Sequence, residues 1–503
     1  MDFPSGQALD GSSFAAAERI ECDVVVVGSG AGGLASAWQL SQLGLSVLVL
    51  EEGRRWEPSQ LSTRQSWALR NLYAERGTTV AIGNIFLPLP RGRAVGGSTL
   101  LNSAICFRTP DPVLATWRED HGVDWADPAT VEPLFGEVER AIGVVKTYPA
   151  IAREHNLIFK RGAEAIGLRG DFISRNAPGC IGCGLCQLGC PVGGKGSVDR
   201  TLLPVALSRG AALISSVRAQ TVLLEHGAAV GVEAWTLDPL TEKPKQRLEV
   251  RAKRVFLCGG AVSTPMLLLR QGLANSSGHV GNNLHVHSAV GICARFEQTI
   301  DAWHGVTQGW YAHLEGERAV LETFSTTPDL YALQYEAYAR PPERLRHLAS
   351  CGCMIGDVSS GTVRPGAGES RSSMSYNVEA EDVRVMKKGL KEIARAYFAV
   401  GALEVHTGFN GVPPLPSLEA LDAVLESGIT PDRMGIYASH PMSTCRMSGD
   451  RARGVVRPDG ECWDVPNLVI ADASVFPTSL GVNPQITVMT AATIISRAQA
   501  AKG

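Results

Sequence analysis

A run of β-branched residues ending in a glycine-rich turn limits the fold of this chain more than any other feature. Residues 22–28 read Cys-Asp-Val-Val-Val-Val-Gly, a pattern typical of a strand buried on both faces. A helix is expected over 32–43 and a second strand over 46–50. The chain therefore opens with a strand–helix–strand unit.

The turn between the first strand and the helix has the spacing G-x-G-x-x-G, starting at Gly28. Gly28 permits the tight turn, Gly30 lets a pyrophosphate approach, and Gly33 lets the helix pack on the strand. Ala31 then lies at the helix N-terminus, where free N–H groups and the helix dipole favour phosphate. The turn predicts a dinucleotide site.

The second strand ends in two acidic residues that suit ribose binding. Glu51 lies 23 positions after Gly28, close to the separation at which such folds place a carboxylate on ribose hydroxyls. Glu52 is adjacent, and the spacing leaves both residues as candidates.

Length and composition exclude several classes of protein. With 503 residues, two domains or one two-lobed unit are expected. The net charge of −3 argues against a nucleic-acid or polybasic membrane partner. The sequence contains neither an apolar run long enough to span a membrane nor a secretory signal. The twelve cysteines are then expected to be reduced or to bind metal, and the protein to be cytoplasmic.

The order of expected elements predicts an α/β fold with a Rossmann-like domain and an inserted α+β substrate domain built on an antiparallel sheet. Dinucleotide-type strands recur in the middle of the chain and near its end, so the second domain must be inserted. The predicted parts are a discontinuous dinucleotide-binding domain (1–114, 205–294 and 431–503), a helical, cysteine-rich region (115–204) and a substrate domain (295–430).

A second glycine-rich loop, residues 92–102, reads Gly-Arg-Ala-Val-Gly-Gly-Ser-Thr-Leu-Leu-Asn. This loop resembles the first signature of the glucose–methanol–choline (GMC) oxidoreductases, and the order of later motifs is also similar to that family. These are residues 259–265 with 281–284, His440–Met447, Ala471–Ser474, and Asn483 with Pro484. Between 295 and 430 the chain matches the family only in outline, so the substrate does not follow from the resemblance.

The resemblance implies bound FAD, with further cofactor contacts from Arg93, Gly97, Ser98, Asn102, Asp472, Ala473 and Pro484. For Asp472, a cap at the end of a strand is the alternative. Some members attach FAD to a histidine just before the asparagine of the first signature. Leu101 occupies that place here, so the flavin is expected to be non-covalent.

The resemblance also implies a catalytic histidine at His440 and its partner at Asn483. An imidazole is suited to collect the hydroxyl proton of an alcohol, because its ordinary pKa lies near neutrality. Asn483 cannot titrate and is expected to orient the hydroxyl and stabilise developing charge. His285 and His287 are expected to have structural or flavin-adjacent roles.

Four cysteines occur within eleven residues. Cys180, Cys183, Cys186 and Cys190 have the spacing C-x2-C-x2-C-x3-C-P, by which bacterial ferredoxins hold iron–sulfur clusters. Three of them also match the cluster ligands of multisubunit FAD glucose dehydrogenases, relatives of the same family. A four-iron or three-iron cluster is predicted, with zinc and metal-free structural cysteines as alternatives. Cys351 and Cys353 are expected to be buried apolar residues.

Aromatic residues are concentrated between 303 and 338, which indicates core packing for most of them and an apolar lid for the rest. They are Trp303, Trp310, Tyr311, Phe324, Tyr331, Tyr335 and Tyr338. The expected substrate is therefore a hydrophobic alcohol.

The predicted function is FAD-dependent oxidation of a hydrophobic primary or secondary alcohol by hydride transfer to flavin N5. Electrons then leave through the cluster to an external acceptor, such as a quinone, a cytochrome or another redox protein. The alternatives are an oxygen-using alcohol oxidase with structural cysteines, a flavin-bearing lyase or photoenzyme on the same fold, and a non-catalytic electron carrier.

Overall fold

The computed structural model describes residues 1–328, 342–368 and 371–502, and these contain ten α-helices and twenty β-strands. The helices are α1 (Ala31–Gln42), α2 (Gln65–Leu72), α3 (Asp111–His121), α4 (Pro128–Ala141), α5 (Pro149–Ala165), α6 (Leu202–Ser208), α7 (Gly260–Gln271), α8 (Ala380–Ala399), α9 (Leu418–Glu426) and α10 (Gln485–Ala500). Within those ranges no helix combines the length and the apolar character needed to cross a membrane.

The strands are mostly short. They are β1 (Ala8–Asp10), β2 (Glu18–Val27), β3 (Val47–Leu50), β4 (Val80–Ile82), β5 (Phe86–Pro88), β6 (Val145–Lys146), β7 (Gly170–Phe172), β8 (Ser174–Arg175), β9 (Ala212–Ser215), β10 (Val217–Glu225), β11 (Ala228–Leu237), β12 (Pro244–Leu257), β13 (Ala289–Arg295), β14 (Trp310–His313), β15 (Ala319–Phe324), β16 (Leu348–Ile355), β17 (Gly361–Pro365), β18 (Ser372–Tyr376), β19 (Glu404–His406) and β20 (Leu468–Ile470).

An eight-stranded sheet forms the first layer. Its order is β1-β9-β3-β2-β12-β11-β10, and β20 pairs with β12. Within this sheet the neighbouring strands β1, β9, β3, β2 and β12 are parallel, and β20 is parallel to β12. Strands β11 and β10 are antiparallel to their neighbours. Val24, Val25 and Val26 are almost completely buried, as the β-branched run predicts, because parallel strands of this kind are covered on both faces.

The long strand β12 runs through a region where the sequence pattern predicts two separate strands, at 246–252 and 254–258. Its first part pairs with both β11 and β2, and its last residues pair with β2 and β20. One continuous strand therefore leads to the carboxyl edge of the sheet, where α7 begins. Parallel sheets of this type bind their ligands at that edge.

A six-stranded antiparallel sheet forms the second layer, in the order β19-β13-β16-β15-β14-β7. One face carries α5 and α8: a Cβ added to Gly389 of α8 would lie 2.3 Å from the sulfur of Cys353 on β16. The Rossmann-like α/β fold with an inserted antiparallel sheet is confirmed. The boundaries between domains stay a prediction; β13 crosses residue 294, and β7 comes from the helical, cysteine-rich region.

Candidate active site

The glycine-rich turn connects β2 to α1 as the sequence predicts. Gly30 is the N-cap of α1, and a Cβ added there would meet no atom within 4 Å. A Cβ on Gly33 would lie 1.9 Å from the carbonyl oxygen of Gly28, so close packing of strand and helix requires glycine. The open space at Gly30 fits the close approach of a pyrophosphate.

Only one of the two candidate carboxylates faces this turn. Glu51 accepts hydrogen bonds from the Ser29 amide (3.0 Å) and hydroxyl (2.7 Å). Glu52 instead forms ion pairs with Arg93 (3.1 Å) and Arg218 (2.8 Å). Burial raises the pKa of Glu51; burial also disfavours charge on Glu52, but the two guanidinium groups hold its pKa below the usual value. Of the two carboxylates, Glu51 is therefore the one that lies beside the turn.

The second glycine-rich loop lies directly on the first turn. A Cβ on Gly97, which has φ +53°, would lie 2.8 Å from the Cα of Gly30. The Ser98 hydroxyl accepts a hydrogen bond from the Gly92 amide (3.0 Å) within the loop. Arg93, expected at the cofactor, also pairs with Glu242 (2.9 Å). Its guanidinium group is thus shared between two carboxylates.

The loop ends beside the start of α10. Asn102 donates through its amide to the side-chain oxygen of Gln485 (3.0 Å), and Pro484 is the N-cap of this helix. Asn102 and Pro484, far apart in sequence, are therefore neighbours.

Asp472 follows β20 and is buried. One carboxylate oxygen accepts hydrogen bonds from the Gly260 amide (2.7 Å) and the Thr264 hydroxyl (2.6 Å), and the other from the Ser474 amide (2.8 Å). These contacts join β20 to α7 and cap the turn that begins at Ala473. These hydrogen bonds fit the role of a cap at the end of a strand, which is the alternative to a direct contact between Asp472 and FAD.

His440 lies against a second imidazole. The Nδ1 atoms of His440 and His287 are 3.3 Å apart. The Nε2 of His287 accepts hydrogen bonds from the Leu480 and Gly481 amides, both at 3.0 Å. One imidazole thus links His440 to the loop that carries Asn483.

These contacts determine where the protons lie in the neutral pair. Because Nε2 of His287 accepts two N–H groups, its proton is on Nδ1, and that N–H donates to Nδ1 of His440. His440 then carries its own proton on Nε2. Burial lowers the pKa of both residues to about 3, aided for His440 by His287 and for His287 by His285. Both rings are neutral near pH 7.

A buried carboxylate, Asp357, supports this pair. It accepts hydrogen bonds from the amides of Val286 (2.9 Å) and His287 (3.3 Å), and from the hydroxyls of Tyr376 and Ser479. The segment before His287 and the loop before Asn483 are therefore held by the same side chain. The alternate positions of His285 and His287 predict that both lie on one face of an extended segment, but His287 has φ +53° and interrupts the regular strand.

Asn483 lies beside a carboxylate of the antiparallel sheet. It is 8% exposed, and no described residue forms a hydrogen bond with its Oδ1. Burial raises the pKa of Glu322 on β15 to about 8, although hydrogen bonding by the Asn483 side chain acts to lower it. Gln308 donates to Oε2 of Glu322 (3.0 Å), whereas Oε1 has no partner within residues 1–328, 342–368 and 371–502.

Two aromatic rings cover the same region. Phe324 and Tyr437 have ring centroids 6.1 Å apart. Trp310 instead packs on Phe159 in the core, and Trp303 lies partly buried against the same core. Tyr331, Tyr335 and Tyr338 lie outside the described residues.

The cysteine loop brings its four thiols to one pocket, which Arg175 and Lys195 also line. All four cysteines are free. The Arg175 guanidinium donates to the sulfurs of Cys186 (3.2 Å) and Cys180 (3.6 Å). In residues 1–328, 342–368 and 371–502, no three His, Cys, Asp or Glu side chains form a group able to hold a metal ion.

Lys195 connects this pocket to the glycine-rich loop. Its ammonium group donates to the carbonyl oxygens of Leu100 (2.7 Å), Asn102 (2.8 Å) and Cys186 (3.1 Å). Burial lowers the pKa of Lys195 to about 8. Although burial disfavours a thiolate at Cys186, Arg175 and Lys195 lower the pKa of that thiol.

Sequence reasoning missed Asp357, Glu322 and Arg175, and it gave His287 only a general role. Glu322 had a signal, since it is a lone carboxylate in the otherwise uncharged strand Ala319–Phe324. The other two had none, because their contacts join segments distant in the sequence.

Comparison with known proteins agrees with this geometry. Family models match for the N-terminal part (69–289) and the C-terminal part (357–492) of GMC oxidoreductases, and for an NAD(P)-binding Rossmann-like domain (26–57). An uncharacterized GMC-type oxidoreductase of Mycobacterium tuberculosis is 36% identical over 95% of this chain and 76% of its own length. A long-chain-alcohol oxidase of Arabidopsis thaliana is 31% identical over 95% of this chain and 68% of its own.

Solved structures share the fold at low sequence identity. Pyridoxine 4-oxidase from Mesorbium loti has a TM-score of 0.70 at 18% identity, covering 95% of this chain and 98% of its own. A formate oxidase from Aspergillus oryzae has a TM-score of 0.72 at 16% identity, covering 97% and 99%. With the turn, the second loop and the motifs of the C-terminal part in register, the chain belongs to the GMC oxidoreductase family, and it is an FAD-dependent oxidoreductase that acts on CH–OH groups.

Proposed function

We propose that the protein oxidises a hydrophobic primary or secondary alcohol, whose hydroxyl group is held by His440 and Asn483. The link through His287 carries this proposal, because one buried imidazole contacts His440 and the backbone just before Asn483. The Nε2–H of His440 and the unpartnered Oδ1 of Asn483 then supply a donor and an acceptor for one hydroxyl group.

Several residues fit FAD. The open turn at Gly30 suits the pyrophosphate, Glu51 suits the ribose, and Gly97 of the second loop lies against the turn. Leu101 has no nucleophilic atom, which supports non-covalent binding. Bound FAD supplies the hydride acceptor, N5 of the flavin.

The aromatic rings support an apolar substrate. Phe324 and Tyr437 lie over Gly291 and Gly352, where a Cβ would approach them to 3.2 and 2.4 Å. Missing side chains at these glycines leave the rings room to form an apolar wall. The resemblance to long-chain-alcohol oxidases points to the same class of substrate.

We further propose that electrons leave through an iron–sulfur cluster on Cys180, Cys183, Cys186 and Cys190 to an external acceptor, such as a quinone, a cytochrome or another redox protein. Support comes from the two buried cations at the pocket. The groups that most favour the charged form of Arg175 are the thiols of Cys186 and Cys180, and those that most favour the charged form of Lys195 are the thiols of Cys186 and Cys190, ahead of Asp199. Buried cations need balancing charge, which an anionic thiolate-bound cluster would supply.

The test of alcohol oxidation is anaerobic reduction of the bound flavin. A long-chain primary alcohol should bleach the wild-type flavin, and His440→Ala should slow this step ~10²-fold while FAD stays bound. His304→Ala, at a histidine outside this network, is the matched control. A wild-type flavin that stays oxidised with primary and secondary alcohols, or an unimpaired His440→Ala variant, would contradict the proposal.

The second candidate is an oxidase of the same fold, favoured by the relatives that are named alcohol oxidases. Stoichiometric hydrogen peroxide formation with alcohol and air would establish the oxidase. Reduction of an artificial electron-accepting dye, with little peroxide, would establish the dehydrogenase.

A further inference from the structure

We infer that Glu322 accepts the hydroxyl proton of the alcohol and is therefore a third catalytic residue beside His440 and Asn483. This inference rests on the proposed function and assigns the proton that must leave the substrate. Three features carry it: the face of the sheet on which Glu322 lies, the free oxygen of its carboxylate, and the proton already present on His440.

The register of the antiparallel sheet places Glu322 in a row of four cross-strand partners. Gly291 pairs with Gly352, Gly352 with Glu322, and Glu322 with Tyr311. Directly paired residues share a face of the sheet. Since Cys353 faces α8 and neighbouring residues alternate, Gly352 and its row face away from the helices.

This second face of the sheet is the one that looks into the site. A Cβ at Gly352 would point at the hydroxyl of Tyr437 (2.4 Å), and one at Gly291 at the ring of Phe324 (3.2 Å). Asn483 lies on the same side, beside Glu322. The carboxylate is therefore among the residues that hold the alcohol, and not in the core between sheet and helices.

The carboxylate is buried with half of its hydrogen-bonding capacity unused. Glu322 is 5% exposed; Gln308 donates to Oε2, and Oε1 has no hydrogen-bond partner among the residues that the structure describes. A buried acceptor without a donor is costly. Asn483 Oδ1 is in the same condition, so an incoming hydroxyl meets two oxygens that lack a donor. Of these, the carboxylate is the stronger base.

His440 is not free to take this proton. Its Nδ1 accepts the N–H of His287, whose own Nε2 is occupied by the amides of Leu480 and Gly481. The other nitrogen already carries a proton. His440 therefore donates to the alcohol oxygen, which makes the hydroxyl more acidic.

The chemical step then balances. The O–H bond breaks and its proton goes to Glu322, which becomes a carboxylic acid. With FAD bound, the C–H bond would break, its hydrogen and both electrons would pass as hydride to the flavin, and the C=O bond would form. His440 and Asn483 keep their protons throughout.

Titration of Glu322 gives this step a pH dependence. Burial raises its pKa to about 8, and the step requires the carboxylate, so the rate should rise as pH increases through about 8. Among the described residues, the titratable groups around it are Cys351 on β16, Tyr437 and the cross-strand partner Tyr311 on β14, and burial raises the pKa of all three. They stay neutral in this range, as do His287 and His440, whose pKa values are about 3.

The experiment compares wild type with Glu322→Gln, which keeps the shape of the side chain and cannot take up a proton. Anaerobic flavin reduction by a long-chain alcohol should be ~10²-fold slower in the variant, and the rise near pH 8 should vanish. In the resting protein, a carboxylic-acid band in the infrared spectrum should disappear near pH 8 in wild type and be absent from the variant. Glu315→Gln, at an exposed ion pair with Arg169, is the matched control.

A second variant separates proton transfer from positioning. Glu322→Ala leaves space for a small acid, so added formate should restore part of the rate, which it would not do for a purely structural residue. Wild-type rates and an unchanged pH profile in Glu322→Gln, or a titrating infrared band that persists in it, would overturn the inference while leaving the proposed function intact. A wild-type flavin that no alcohol reduces would instead refute the proposed function, and the infrared titration would still test Glu322.

Discussion

At the scale of single residues, the site depends on side chains that receive hydrogen bonds in unusual numbers. His287 accepts two backbone N–H groups and contacts His440, and Asp357 accepts bonds from two amides and two hydroxyls. Such buried acceptors hold neighbouring groups in one geometry, because each unsatisfied donor would carry a free-energy cost. His287 is thus a positioning residue.

The first residue-scale prediction concerns His287→Ala. It leaves the amides of Leu480 and Gly481 without an acceptor and frees His440 to rotate. Because small misplacement of reacting groups is costly, flavin reduction by alcohol should be ~10- to 100-fold slower while FAD content is unchanged. Stopped-flow spectroscopy measures the rate of flavin reduction, and the ratio of flavin to protein absorbance measures the FAD content. His226→Ala, at an exposed histidine, is the control; equal rates in both variants would contradict the positioning role.

At the scale of elements, the cysteine loop is held to two other parts of the chain. The Gly305 amide donates to the Gly182 carbonyl (2.8 Å), and the Tyr73 hydroxyl donates to the Gln187 carbonyl (2.9 Å). Lys195 adds the contact with the glycine-rich loop. The loop is therefore a fixed element beside the cofactor loop, the arrangement that electron transfer between them would need.

The element-scale prediction is metal content. Anaerobically purified protein should contain about three or four irons per chain with matching acid-labile sulfide, and Cys186→Ser should lose most of both. Cys22→Ser, on β2 and outside the loop, should keep them. Elemental analysis and electron paramagnetic resonance measure the outcome. Stoichiometric zinc, or wild-type protein free of iron after anaerobic purification, would refute the cluster.

At the scale of the whole molecule, the cofactor site joins parts of the chain that are distant in sequence. The turn at Gly30 comes from the first βαβ unit, Asn102 from the second loop, and Gln485 from the last helix. A ligand that binds such a site only in the folded state stabilises the whole fold by mass action, by about 2.7 kcal/mol at a hundred times its Kd.

The whole-molecule prediction is therefore a thermal shift. Removal of FAD should lower the Tm by a few degrees, and added FAD should restore it in a concentration-dependent way. Riboflavin, which lacks the pyrophosphate and the adenosine, should restore much less, because Gly30 and Glu51 would have no partner. Differential scanning calorimetry gives the comparison. An identical Tm with and without FAD would contradict this assignment of the site.

Local pattern in the sequence was sufficient to determine the cofactor half of the protein. The β-branched run, the spacing of glycines 28, 30 and 33, and the apolar run over 46–50 each predict an element that occurs within a few residues of its expected position, because hydrophobic periodicity and turn chemistry act over short stretches of chain. His440 and Asn483 followed from their motifs as a pair, and the structure joins them through His287.

Only the tertiary structure decided which atoms of His440 and Asn483 are available to bind a hydroxyl group, and which carboxylate lies beside these two residues. Hydrogen bonds from residues 480 and 481 assign the proton on His287 and thereby the proton on His440. Strand register places Glu322 on the face of the site, and long-range contacts direct Glu51, and not Glu52, to the turn. The position of a histidine proton and the direction in which a carboxylate points depend on partners far away in the sequence. No local sequence pattern therefore encodes them.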